Sequence, residues 1–254
     1  MQEASEKEDF SLHNKIEGSQ TQIIPLNDNV HITVLDWDDT LLASTYLDLK
    51  GLTLSSTAEE MKPFLGELDL LQTQVIAILS WALKISLKVF VITNAENGWV
   101  QKSCDKFMLR VLPLLKNISV VSARSLYESR YEDDPISWKF YAFKSELIPC
   151  VKMQRALKKK CCLFQMGDAD IERNAIFSLK KECPGVIIKS IKFATKPTIL
   201  QLERQLQLVF NHRDYVYSRK EDVDLMLTIT NHSASTQNNI SEHIPNKEIT
   251  ASAS

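Results

Sequence analysis

The sequence predicts an α/β protein with a doubly wound, mostly parallel sheet, and three observations lead to that prediction. Five short apolar runs stand along the chain, four of them nearly uninterrupted, as strands must be when both faces are covered. Segments with helical spacing separate the runs, and strands alternating with helices wind into a layered sheet. Polar residues suited to chemistry follow directly after the runs, where ligands bind in an open parallel sheet.

The first run, Ile32 to Leu35, ends in Asp36-Trp37-Asp38-Asp39-Thr40. The stretch Ala43 to Glu67 has room for a hairpin-like flap and little more, and Leu68 to Ser86 then has the spacing of a helix. A second run, Leu87 to Ile92, is followed by Thr93 and Asn94. Val75 to Thr93 has the length of a membrane span, but Lys84 and Lys88 lie inside it. A charge at mid-bilayer costs about 3 kcal/mol on insertion scales, so the stretch reads as a buried helix running into a buried strand. From Gly98 onward, Val100, Cys104, Phe107, Met108 and Val111 recur at helical spacing, and Ile118 to Val121 gives a third strand. A helix follows Trp138, and the fourth run, Cys162 to Met166, ends in Gly167-Asp168. Glu172 comes one helical turn later, on a helix from Ile171 to Lys180. Val186 to Phe193, which alternates somewhat, gives the fifth strand, and Thr198 to Phe210 the last helix.

Residues 1–28 and 229–254 are polar and lack sustained periodicity, which predicts disordered tails around one domain at 29–228. With 44% hydrophobic and 24% charged residues the domain can bury a real core, and a net charge of −2 offers no broad basic field. No nucleic-acid or membrane partner is therefore expected. The polar, acidic start has no apolar signal core, which points to cytoplasm or nucleus and away from secretion. In that compartment Cys104, Cys150, Cys161, Cys162 and Cys183, irregularly spaced, read as small apolar residues.

The strand ends bring Asp36, Asp38, Asp168 and Glu172 to one edge of the sheet, with Thr93 and Lys139 beside them. Carboxylates so gathered repel one another, and a hard divalent cation with oxygen ligands relieves the repulsion; beside phosphate the fitting ion is Mg²⁺. A lysine and a hydroxyl then complete a phosphate cradle. Asp39 and Asp170 read as surface residues, and Trp37 as facing the core or the wall of the site.

These residues resemble, in order and spacing, the four motifs of the haloacid dehalogenase superfamily. Val34-Leu35-Asp36-Trp37-Asp38-Asp39-Thr40 matches its D-x-D-x-T, Val89 to Thr93 its second strand, Lys139 (with Lys144 as the alternative) its lysine, and Gly167-Asp168 with Glu172 its last motif. The D-W-D-D-T-L-L wording, with S-A-R-S-x-Y-E and W-K later, resembles a set of eukaryotic members. The resemblance implies a Rossmann-like core and a phosphatase. In it Asp36 would be the nucleophile that becomes an aspartyl-phosphate, and Asp38 the general acid and base. Thr93, Asn94 and Lys139 would hold the phosphoryl group. Mg²⁺ would lie on Asp36, the Asp38 backbone carbonyl and Asp168, with Glu172 acting through water or on the lysine. With minimal or no cap inserted, the open site implies a phosphorylated protein or another large substrate; a small-metabolite phosphatase and an inactive scaffold are the alternatives. A Cys-x5-Arg pattern at Cys104 to Arg110 has bulky intervening residues on a helical stripe, unlike a phosphate-cradling loop.

Overall fold

A computed structural model describes residues 29–229; the tails expected at 1–28 and 229–254 lie outside them apart from residue 229. The strands β1 (Asn29–Leu35), β2 (Ser86–Thr93), β3 (Ser119–Ser122), β4 (Lys160–Gly167), β5 (Ile187–Lys192) and β6 (Val223–Met226) form one sheet. Its order is β3-β2-β1-β4-β5-β6, and every pairing is parallel. The chain leaves β1 through α1 (Ser44–Leu49) and α2 (Ala58–Met61) into α3 (Leu65–Ile85), which runs into β2. From β2 it passes α4 (Trp99–Phe107) and α5 (Leu112–Leu115) to β3, then α6 (Ala123–Tyr127) and α7 (Pro135–Ala156) to β4. Next, α8 (Asp170–Ser178) leads to β5, and α9 (Ile199–Asn211) with α10 (Arg213–Ser218) to β6.

The apolar runs are buried on both faces because alternate side chains of one strand enter different cores. Ile32 and Val34 of β1 join the cluster under α7 and α8, while Leu35 joins the one under α3 and α9. The stretch with the length of a membrane span is indeed a helix entering a strand, and Leu71, Val75, Ile78 and Leu79 of α3 are buried against the sheet.

Four local features differ from the sequence reading. The segment after β1 is not a hairpin: it is built from helical turns, because Thr57 and Glu60 form a reciprocal cap that starts α2, and Pro63 opens the turn into α3. Consequently α3 begins at Leu65. The α7 helix begins before Trp138: the Asp134 side chain accepts the Ser137 N–H at 3.0 Å and Pro135 takes the first helical position, so Lys139 sits inside the helix. The fourth feature is β6, whose four residues are interrupted by Asp224 and so do not register as an apolar run. It is fixed beside β5 by the ion pair of Asp224 with Arg173 of α8.

Candidate active site

β1 and β4 are neighbours at the centre of the sheet, and the chain goes from β1 toward β2 on one side and from β4 toward β5 on the other. The crevice above their carboxyl ends is the topological switch point, where open α/β sheets bind ligands. Asp36 is the first residue beyond β1, and its N–H donates to the Met166 carbonyl of β4 at 3.0 Å, which fixes it to this crevice. One carboxylate oxygen, Oδ1, accepts from the Trp37 N–H at 2.9 Å and from Lys139 Nζ at 2.8 Å. Among the described residues no donor reaches Oδ2. A carboxylate held by one oxygen presents the other in a defined direction.

Asp168 and Glu172 complete the acidic cluster: one oxygen from each, with one from Asp36, all lie within 4.8 Å of one another. The approach of Glu172 depends on Gly167, where a Cβ would come within 2.9 Å of Glu172 Cγ and 2.8 Å of Gln165 Nε2. Burial pushes the Asp36 carboxyl up to about 8; Glu172 and Asp38 add to this, while Lys139 opposes it. Asp168 is raised to about 7, by burial first and then by Glu172 and Asp39. Desolvated, mutually repelling oxygen donors are the set that a hard divalent cation stabilises, so these residues could hold such an ion. Asp36, Asp168 and Glu172 are the side chains placed to hold it.

Lys139 is 1% exposed, donates to Asp36 and to the Ile92 carbonyl at 2.8 Å, and forms an ion pair with Glu172 Oε1 at 3.0 Å. Burial disfavours its charge, but Asp36 and Glu172 outweigh burial and leave its pKa above the ordinary value. Its place in the structure is therefore beside Asp36, and contact with a ligand would require one of these interactions to exchange. Lys144 pairs instead with Glu182 and does not join the cluster. Glu172 acts on the lysine directly and also accepts the Ala169 N–H at 3.2 Å, capping α8.

Asp38 faces the same crevice from a second direction. Its Oδ2 accepts from Thr93 Oγ1 at 3.1 Å, and its Oδ1 accepts from Trp99 Nε1 at 2.9 Å. Thr93, 2% exposed, also accepts the Ala95 N–H at 3.0 Å. The Asn94 side chain does not point to the cluster; it donates to the Pro135 carbonyl at 3.1 Å and ties the end of β2 to the start of α7.

Asp39 corrects the surface reading: it is 6% exposed, adopts a left-handed backbone with φ 52°, and accepts the Thr45 N–H at 3.0 Å, which caps α1. Asp170 is exposed, as read. Trp37 is fully buried and donates to Ser103 Oγ at 2.9 Å. The sequence reading missed Trp99. It belongs to the turn at Gly98, whose φ of 86° suits glycine, and only the rule that strand ends carry chemistry pointed to its neighbourhood. Cys104 is fully buried on α4, with its thiol pushed up to about 12 by burial and by Asp105, so it is no nucleophile.

No family model, curated protein or solved structure matches the chain.

Proposed function

We propose that this chain is a Mg²⁺-dependent phosphatase of the haloacid dehalogenase type, acting through an aspartyl-phosphate on Asp36. The observation that carries the reading is the pairing at the switch point. One carboxylate, Asp36, has one oxygen clamped and one free, and a second, Asp38, is held two residues away by Thr93 and Trp99. In the first step the free Asp36 oxygen attacks phosphorus, the ester P–O bond breaks, and protonated Asp38 gives its proton to the departing oxygen. In the second, Asp38 takes a proton from water, which attacks the aspartyl-phosphate, releasing phosphate and restoring Asp36. Lys139 keeps Asp36 oriented and adds positive charge beside the transferring group, and Thr93 is placed to turn its hydroxyl to a phosphoryl oxygen. Asp36, Asp168 and the Asp38 carbonyl would hold Mg²⁺, with Glu172 assisting through water, and the ion would supply positive charge to the transferring group.

Two short helices after β1 make a small cover, which favours a phosphorylated protein over an enclosed metabolite. The test is hydrolysis of an aryl phosphate by the full chain with and without Mg²⁺, alongside Asp36→Asn. The expected result is turnover that requires Mg²⁺ and is lost in Asp36→Asn, with phosphate trapped on Asp36 of the wild type. Equal rates in both proteins, with nothing trapped, would leave the chain as a scaffold.

A further inference from the structure

The segment between β1 and α3 and the two ends of α4 line an open pocket of about 440 Å³, inside the usual range of ligand sites, about 300–1,000 Å³. Leu42, Leu47, Leu52, Leu54, Trp99 and Phe107 form its apolar lining, beside four polar residues, Ser44, Asp48, Thr53 and Ser55. Two links join it to the acidic site. Trp99, whose ring forms part of the wall, donates its indole N–H to Asp38, and Leu42 is bridged to Asp38 through the backbone. The cavity therefore begins one side chain from the carboxyl that would protonate a leaving group.

We infer that this cavity receives the aromatic body of an aryl phosphomonoester whose phosphoryl group reaches Asp36 and whose bridging oxygen faces Asp38. The inference rests on the phosphatase reading. Four leucines with a tryptophan and a phenylalanine offer apolar and ring-face contact and little hydrogen bonding. A sugar or nucleotide would need convergent polar groups, but Thr53 and Ser55 are bonded to each other at 2.9 Å. A second anionic group would meet exposed Asp48, and among the described residues lining the cavity there is no cation. A phosphoserine leaving group is too short to occupy it. A phosphotyrosine side chain and a free aryl phosphate present the same chemistry.

The experiment compares phenylphosphonate with methylphosphonate, neither of which is hydrolysed at phosphorus, by calorimetry on the full chain with Mg²⁺. Phenylphosphonate should bind about tenfold more tightly, the scale set by one buried apolar side chain. Leu54, 38% exposed, is the most exposed of the apolar lining residues. Leu54→Asn, which adds polarity without charge, should erase the difference, with methylphosphonate still bound as evidence that the variant is folded. Equal affinities in the wild type, no binding of either compound, or a preference that survives Leu54→Asn would each overturn the pocket. Aryl preference without hydrolysis of phenyl phosphate or of a phosphotyrosyl peptide would keep the pocket as a ligand site and remove the phosphatase. Where both are hydrolysed, the larger kcat/KM names the source.

Discussion

At the scale of single residues, the site is organised by which oxygen of each carboxylate is committed. Lys139 and the Trp37 N–H hold Asp36 Oδ1, and removing the lysine leaves Asp36 and Glu172 buried without their cation. Lys139→Met should therefore lower kcat/KM by about a hundredfold or more, the usual loss for a preorganised charge, and destabilise the fold by about 3–5 kcal/mol. Steady-state kinetics and urea melts check the two effects; an active variant of wild-type stability would contradict the assigned role. Trp99 fixes Asp38 through one indole N–H. In Trp99→Phe the ring stays and the donor goes, so kcat should fall about tenfold while KM for an aryl phosphate holds, as expected from one lost hydrogen bond to a charged group. Asp36, Asp38, Asp168 and Glu172 were legible in the sequence because each follows a strand or sits at fixed helical spacing from one that does, whereas Lys139 was singled out only through the resemblance, with Lys144 as its alternative. Trp99 and Asp39 were not, since the contact of Trp99 spans 61 positions and the cap from Asp39 depends on a backbone twist that no periodicity records.

At the scale of elements, β1, β2 and β4 were legible because burial on both faces writes itself as an unbroken run, and the four-residue β3 was read from its apolar run as well. Elements without such a run were not. β6 has four residues and is placed by an ion pair, and the turns after β1 are set by capping groups rather than by pattern. The amino end of β1 carries a feature unrelated to the site. His31 is 3% exposed, stacks on Tyr217 at 4.4 Å between centroids, and has no hydrogen-bond partner among the described residues on either ring nitrogen. Burial, with Lys189 adding to it, lowers its pKa from 6.5 to about 4. Between those values the unfolded chain binds a proton that the fold refuses, so stability is full above pH 6.5 and falls as pH drops toward 4. The loss should approach about 3 kcal/mol at the acid end of the window. His31→Phe, which keeps the stack and removes the titration, should flatten stability across that window in urea melts at a series of pH values. A slope identical to wild type would show that other groups control acid unfolding.

At the scale of the whole molecule, the order of strands makes the site. The switch between β1 and β4 opens the crevice, and the same placement that exposes Asp36 to a ligand crowds it against Asp168 and Glu172. Without a cation the native state carries that repulsion and the unfolded chain does not. A divalent ion that binds only the native cluster stabilises the entire fold, by about 2.7 kcal/mol at a hundred times its dissociation constant. For a domain of this size that is a rise in melting temperature of about 5–10 °C. Asp168→Asn separates this effect from general salt effects. It removes a ligand, so the Mg²⁺-dependent rise should shrink to that of an inert salt, and it removes a repelling carboxyl, so the metal-free variant should melt above the metal-free wild type at pH 8. Parallel thermal melts of both proteins, with Mg²⁺, with chelator and with sodium chloride of matched ionic strength, check both directions. A variant that melts lower than wild type in chelator would mean that Asp168 supports the fold by itself and that the crowding at the switch point is not strained.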